Sequence, residues 1–598
     1  MAVMIDARQP ERPYHRLIAV VLTALSFALS AHFSGAVFDR LPHLEDELAY
    51  LFQARLIARG DLVIASPHPA LAYWQPFIID HEGRRFGKYT IGWPAQLALG
   101  ELMGQPWVIN AFYAALTVAL VYRLGRELFG PDAGVFAAAL AALSPMALLL
   151  SGTLMGHTAA LAAATAFFYA CWRIERGRHS VLWGLAAGGA LGLLIANRPL
   201  TAIAIALPLV GWGALRLLSA ARGGSLRTTL APLSGLAAVA LLISLVVPLY
   251  NYRTTGSPTA NLYTFIWAYD RIGFGPGYGR SGHTLERAVN HLRYDLSLTA
   301  ADLFGWQLEP LVNADGEVQP ALRTHLLTQA SFYPALGLSW LVFPFALVIA
   351  FGRRALLIVV WLALGLAILL LPYVIDDALA REGIFLRDAR TAWATVIALA
   401  LWLLVPLAFL RGLRLRWAWL LVAIMLSVLI VQLTYWVGSQ RYSTRYYFEA
   451  LSAAALLGAL PFAWLAGQRL RCVSLRALAY ALVAGLLVIS FFGYSLPRIG
   501  LLKGFNRVDR ALIEAVEARR DGDRPVLVIV TGDDVRWRAY GSLMAVTSPY
   551  LDSPIVAARG SSTIPRAPIL ARFLDRQVIE MAAQGEEAWF LDEQKGDP

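Results

Sequence analysis

Residues 353–375 read Arg-Arg-Ala-Leu-Leu-Ile-Val-Val-Trp-Leu-Ala-Leu-Gly-Leu-Ala-Ile-Leu-Leu-Leu-Pro-Tyr-Val-Ile. Behind the two arginines stands an uncharged run long enough to cross a bilayer as a helix, which takes roughly 20 apolar residues. Similar runs recur along the chain, whose 598 residues are 58% hydrophobic and only 15% charged. That composition predicts a polytopic α-helical membrane protein. The runs divide into about thirteen transmembrane helices by length and apolarity. They start near Leu17, Pro106, Ala133, His157, Val181, Pro199, Leu230, Tyr333, Ala355, Ala392, Trp417, Tyr447 and Ala477.

Arginine in the short connections sets the orientation, because positive charge at span ends is retained on the cytoplasmic side. Arg12 and Arg16 hold the N-terminus inside. Every second loop agrees: Arg123 with Arg126, Arg173 with Arg176, Arg216 with Arg222, Arg353 with Arg354, Arg411 with Arg414, and Arg469 with Arg471. The long connections 39–105 and 251–332 are then external, and an odd span count puts the C-terminus outside the cytoplasmic (inner) membrane too. The small residues from Ala28 to Ala31 resemble a signal-peptidase site, but the first span reads as a retained anchor. The net charge of +11 is largely carried by cytoplasmic arginines. No basic stretch has the form of a nucleic-acid module, so membrane lipid is the expected anionic partner. Cys171 and Cys472 fall near cytoplasmic span ends, where thiols stay reduced, and imply no disulfide framework.

Near Pro497 the composition shifts. Residues 1–500 read as the membrane domain and residues 501–598 as a small external soluble α/β domain. In the latter the pattern predicts a polar helix over Val508–Arg520, a strand over Pro525–Val530, a Gly-Asp-Asp turn and a strand near Pro554–Ala557.

The first external loop opens with His43-Leu44-Glu45-Asp46-Glu47-Leu48-Ala49-Tyr50. Leu48, Leu51, Phe52 and Leu56 then recur at helical spacing up to Gly60, predicting an amphipathic helix lying on the bilayer surface. Its first turn holds three acids, where the helix dipole favours negative charge and mutual repulsion opposes it. The plain reading is a solvated helix start. Further along the loop, however, Trp74, Gln75, Arg84, Arg85, Lys88 and Gly92-Trp93-Pro94 return cations and aromatics to the same face.

Here the chain resembles the GT-C glycosyltransferases, membrane enzymes that take a sugar from a polyprenyl-phosphate carrier, in particular the bacterial protein-mannosyltransferase and aminoarabinose-transferase type. The resemblance rests on Asp46-Glu47 opening a helix after the first span, Gly87-Lys88-Tyr89-Thr90-Ile91-Gly92-Trp93-Pro94 before the second, Asn197-Arg198-Pro199, Asn251-Tyr252-Arg253, and Arg445-Tyr446-Tyr447-Phe448-Glu449-Ala450 at a late span. No one of these strings is specific; their order and topological side carry the likeness.

The resemblance implies inverting transfer of a single sugar to a hydroxyl of a lipid, glycan or protein acceptor at the external face. Asp46 would be the base and Glu47 would orient the base or the acceptor. Lys88, Arg198 and Arg445 would bind the donor phosphate, with Glu45, His157, Arg441 and Tyr446 as further donor or acceptor contacts. Arg198 interrupts an apolar run, and a mid-membrane charge costs on the order of 2.5–3.5 kcal/mol, so a partner is expected. One departure stands out: relatives carry another acid in the second external loop, whereas Ser144 to His157 contains none.

No obligatory cofactor is implied; a divalent cation would suit the Asp-Glu pair, while His43, His68 and His81 lack zinc-ligand spacing. The glycine-rich run from Gly273 to Gly282 lacks the Lys-Ser or Lys-Thr of a P-loop and reads as a loop over the site. A lipid or glycan transporter or flippase is the alternative, though no repeated half-motif is seen. A scaffold in which the acids only cap a helix is a third reading. An oligosaccharyltransferase is disfavoured because the tail has no Trp-Trp-Asp-Tyr-Gly string.

Overall fold

The computed structural model describes residues 10–307, 337–438 and 442–592. Ten helices among these residues are long and apolar enough to cross a membrane, or eleven if the bent pair Pro131–Ala142 and Pro145–Ser151 forms one span. This is fewer than the expected thirteen or so, for local reasons. The runs near Tyr333 and Ala355 belong to one apolar stretch, Ser339–Ala378, with Tyr333 itself outside the described residues. The run near Ala133 is bent by 54° ahead of Pro145, where Ser144 leaves the helical region as residues before proline do. Helix His157–Glu175 is alanine-rich and buried along nearly its whole length. Protein, not lipid, covers its sides, so it need not be as apolar as a lipid-facing span.

The elements that matter for the site come early. Helix α1 (Pro13–Ala36) is followed by α2 (Glu45–Ala58), then by a three-stranded antiparallel sheet of β1 (Ile64–Ala65), β2 (Ile78–His81) and β3 (Arg84–Gly87) in the order β1-β3-β2. Helices α3 (Gly92–Leu102), α4 (Val108–Phe129), α5 (Pro131–Ala142), α6 (Pro145–Ser151), α7 (His157–Glu175), α8 (Ser180–Asn197) and α9 (Pro199–Gly223) continue the bundle. Proline occupies the first turn of α1, α5, α6 and α9, where its missing N–H goes unneeded. Later comes a short hairpin of β4 (Arg469–Leu470) and β5 (Val473–Ser474).

Beyond the last apolar helix, Arg476–Gly500, the chain builds a sheet in the order β7-β6-β8-β9. Strand β6 (Val526–Thr531) runs parallel to β7 (Ile555–Gly560) and β8 (Gln577–Gln584), and β9 (Glu587–Phe590) closes the edge antiparallel to β8. The two strands read from sequence are present within a few residues. Strands β8 and β9 were not anticipated, since Gln-Val-Ile-Glu-Met-Ala-Ala-Gln is made largely of good helix formers.

The sheet does not fill its own two faces. Val526, Val528 and Val530 share a core with Leu48 of α2, while Leu527 and Ile529, on the alternate face, share one with Ala72 and Tyr73. Helix α2 is therefore not an interfacial helix on the bilayer. Residues Glu47 to Ala54 and Leu56 are all buried, between the bundle on one side and the C-terminal sheet on the other. Polar ties fix the same contact: Arg55 donates to the Ala545 carbonyl at 2.7 Å, Arg59 to Asp552 at 2.5 Å, and Tyr550 to Asp61 at 2.5 Å. We expect Leu48→Ala to cost about 2–5 kcal/mol and to expose residues 501–592 to limited proteolysis before the bundle, a loss read directly on a gel.

Candidate active site

A cavity of about 1090 Å³ opens where the first turn of α2, the β3–α3 connection, the α6–α7 loop, the α8–α9 junction and the segment after Thr434 converge. Glu45, Asp46, Lys88, His157, Arg198, Arg445 and Tyr446 all line it. Seven candidates, from Glu45 to Tyr446, thus meet in one space. Arg441 lies outside the described residues.

Glycine and proline explain why these strings of sequence meet. Arg198 precedes Pro199, which drives it out of the helical region (φ −147°, ψ 83°), so α8 ends and its side chain sits at the break. Gly92 packs against this junction so closely that a Cβ would lie 2.4 Å from the Ala196 carbonyl carbon. Thr90 then donates to the Asn197 carbonyl at 3.0 Å and Gln96 to the Asn197 side chain at 2.8 Å. Gly156 likewise admits the Trp93 ring, whose Nε1 donates to the Leu154 carbonyl at 2.9 Å.

Asp46 stands in the first turn of α2. The Tyr89 hydroxyl donates to its Oδ1, and Arg445 Nη1 lies 3.6 Å from its Oδ2. Glu45 accepts from Trp537 Nε1 of the C-terminal region at 3.2 Å. Glu47 is turned away from the cavity and fully buried. Its Oε2 accepts from the backbone N–H of His43 (2.9 Å) and Leu44 (3.0 Å) and from the Tyr442 hydroxyl (3.0 Å), and its Oε1 from the Leu154 N–H (2.7 Å). It is the third residue of the helix reaching back over its own N-terminus, as capping acids do. Burial pushes its carboxyl up to about 7 against these four donors, which favour the ionised form.

Lys88 is buried in an aromatic cage. Its Nζ is 3.5 Å from the Phe77 ring centre and 5.0–5.1 Å from those of Tyr89, Tyr263 and Trp267, with Asp270 Oδ2 at 4.0 Å. Burial pushes the ammonium down to about 8, opposed chiefly by the nearby Asp46 and Asp270 charges. Asp270 also accepts from Trp436 Nε1 at 3.0 Å, and burial raises its carboxyl despite Lys88. Arg271 and Arg280 complete the outer wall. Among the described residues no group of three His, Cys, Asp or Glu gathers as metal ligands would.

Arg198 has the partner its membrane position demands: Glu449 Oε1 lies 3.2 Å from its Nε, and His157 Nε2 is 3.1 Å from its Nη1. Tyr446 sits beneath both guanidinium groups, with Arg198 5.7 Å and Arg445 5.3 Å from its ring centre. Asp270 and Glu449 were both missed as site residues. The available signals were an acid within an arginine-rich loop and an acid inside an apolar span.

Residues 94–250 match the family described as dolichyl-phosphate-mannose-protein mannosyltransferase, a stretch that contains His157 and Arg198. This agrees with the GT-C glycosyltransferase resemblance that the motifs carry. No curated protein matches the sequence. Among solved structures, the chain is similar to ArnT from Cupriavidus metallidurans bound to undecaprenyl phosphate, with 13% identity, 95% of this chain and 96% of that one covered, and a TM-score of 0.46. Its apo state gives 13%, 94%, 92% and 0.48. The Archaeoglobus fulgidus oligosaccharyltransferase AglB with an inhibitory peptide and a dolichol-phosphate gives 13%, 95%, 69% and 0.45. Likenesses this slight decide nothing about chemistry.

Glu47→Ala would strand four buried donors and is expected to destabilise the protein by at least about 1–3 kcal/mol, with Glu47→Gln costing less. Thermal unfolding of the purified variants checks the order.

Proposed function

We propose that this chain, a GT-C glycosyltransferase by its motifs and its family match, transfers a single sugar with inversion from a polyprenyl-phosphate donor to an acceptor hydroxyl. The observation that supports this reading best is that Asp46, which lines the cavity with Glu45 and Asp270, meets there the cations Lys88, Arg198 and Arg445 from three distant segments. An acid alone would suit a helix cap. Three cations around it suit a charged group that must be held and then released.

In the proposed step Asp46 accepts the proton of the acceptor hydroxyl as its oxygen attacks the anomeric carbon from the face opposite the leaving group. The bond from that carbon to the phosphate oxygen breaks, and the electron pair leaves with the polyprenyl phosphate. Lys88, Arg198 and Arg445 offset the charge that accumulates there. Tyr89 and Arg445 hold the two oxygens of Asp46, so the base is oriented before substrate arrives. Glu47 acts from behind by fixing the start of α2. Glu45, His157 and Tyr446 are wall residues, and Asp270 joins them through Lys88. A divalent cation at Asp46 would have to share that carboxylate with Arg445, and the step as written needs none.

The arginine pattern of the loops supports an external placement of this cavity and of residues 501–598, with the N-terminus inside the cytoplasmic membrane. The acceptor's class, whether lipid, glycan or protein, follows from what fills the outer wall of aromatic and arginine side chains.

Asp46→Asn is expected to reduce transfer by about 10²–10⁴-fold. Mass spectrometry of envelope glycolipids and glycans from cells carrying no protein, wild type or this variant at equal abundance is the test. Loss of the same sugar-sized mass in the deletion and the variant supports the reading, and an unchanged variant overturns it. Lys88 gives a second expectation. Its ammonium is needed for an anionic donor and is pushed down to about 8, so kcat/KM, which reports groups of the free enzyme, should fall about tenfold per unit above that value, while protonation of the base Asp46 limits it on the acid side. Lys88→Gln should lower kcat/KM and abolish that alkaline limb.

A further inference from the structure

Glu449 is wholly buried, with a side-chain exposure of 0%, and lies behind the cavity wall rather than on it. Its Oε1 is 3.2 Å from Arg198 Nε and 3.3 Å from His157 Nδ1, and Arg198 Nη1 is 3.1 Å from His157 Nε2. Three groups from the α8–α9 break, the start of α7 and the Arg445–Ala450 turn therefore close a triangle. A guanidinium has no acceptor, so His157 Nε2 must accept from Arg198 and the ring proton must sit on Nδ1, facing the carboxylate.

Packing does not call for this arrangement. A buried ion pair contributes little net stability over apolar residues of similar volume, and removing one partner is what costs. Neither oxygen of Glu449, nor His157 Nδ1, makes an aligned hydrogen bond among the described residues, so Oε1 holds Arg198 and faces His157 through charge at 3.2–3.3 Å. Glu449 borders a cavity of only about 20 Å³ shared with Thr165 and Ser452, room for one water. The triangle's ordered product is the Arg198 guanidinium. Thr201 Oγ1, 3.3 Å from Nε, adds a further tether on that edge. Of the three groups, Arg198 and His157 reach the cavity, and only Arg198 carries a fixed positive charge there.

We propose that Glu449 is a positioning residue that, together with His157, fixes the Arg198 guanidinium so that it meets the donor phosphate already oriented. This rests on the reading of the cavity as a polyprenyl-phosphate site. Holding the fork in place removes the ordering cost that a free arginine side chain would carry into binding.

The test is a double-mutant cycle on the full-length protein in lipid nanodiscs, reading the dissociation constant for a polyprenyl phosphate without sugar. Arg198→Gln should weaken binding roughly ten- to hundred-fold, the range for one lost hydrogen bond to a charged group, and Glu449→Gln roughly tenfold. In the Arg198→Gln background Glu449→Gln should change nothing further, because its effect passes through the missing guanidinium. Additive losses, or wild-type binding by Glu449→Gln, would overturn the proposal. If Glu449→Gln does not fold, the ¹⁵N shifts of His157 in the wild-type protein decide: a proton on Nδ1 supports the triangle and a proton on Nε2 overturns it. Lys88→Gln separates the two levels. Weakened binding there with wild-type binding by Glu449→Gln sinks this inference alone, whereas unchanged binding by Lys88→Gln, Arg198→Gln and Arg445→Gln together sinks the donor-site reading as well.

Discussion

The carboxylate of Glu47 is where separate stretches of the chain are forced to agree. It takes hydrogen bonds from the entry to α2, from Leu154 ahead of α7, and from Tyr442 just before the Arg445 turn. A buried carboxylate tolerates few vacancies among its acceptor sites, so each donor must stand where it does. Asp46 is its sequence neighbour, His157 follows Leu154 by three residues and Arg445 follows Tyr442 by three. The distances among the cavity groups are therefore consequences of a group that never touches the cavity.

Charge in the cavity is arranged by the same economy. Three of its cations have a carboxylate nearby: Asp270 for Lys88, Glu449 for Arg198, Asp46 for Arg445. None of these separations is shorter than 3.2 Å, and the Lys88 and Arg445 pairs are looser still. Lys88 is held as much by four aromatic faces as by its acid. Lys88, kept by dispersed partners, can turn toward an anion at small cost, whereas Arg198 must keep Glu449, since losing it would leave a wholly buried carboxylate bare.

Much of this was legible in the sequence. Apolar runs showed the membrane class, and motif order brought Asp46, Lys88, Arg198 and Arg445 forward as candidates before any geometry. The misses have physical causes. The described helices that pass for spans by length and apolarity number fewer than the runs, because a helix sheathed in protein, such as His157–Glu175, need not be apolar all round and the run at Ser144-Pro145 is bent. Leu48, Leu51, Phe52 and Leu56 were correctly read as a helix but wrongly laid on the bilayer, since apolar periodicity says that a face is covered and not by what. Glu47 looked identical to Asp46 in a string of three acids; only the 100° step between helical neighbours turns one to the cavity and the other to the core. Glu449 stood in view within the Arg445–Ala450 motif, yet its ion pair with Arg198 joins residues about 250 apart in sequence, a pairing that no local pattern encodes.

The sandwiching of α2 has a further consequence. Its front turn carries Asp46, and its back is the missing wall of the C-terminal sheet, with Trp537 reaching Glu45 beside Asp46. A rigid helix gripped in this way transmits small displacements from one side to the other. The exposed surface of residues 501–592 is thereby a handle on the cavity. A binder that tilts the sheet on α2 would reshape the cavity wall at Glu45 and Asp46 without entering the cavity itself.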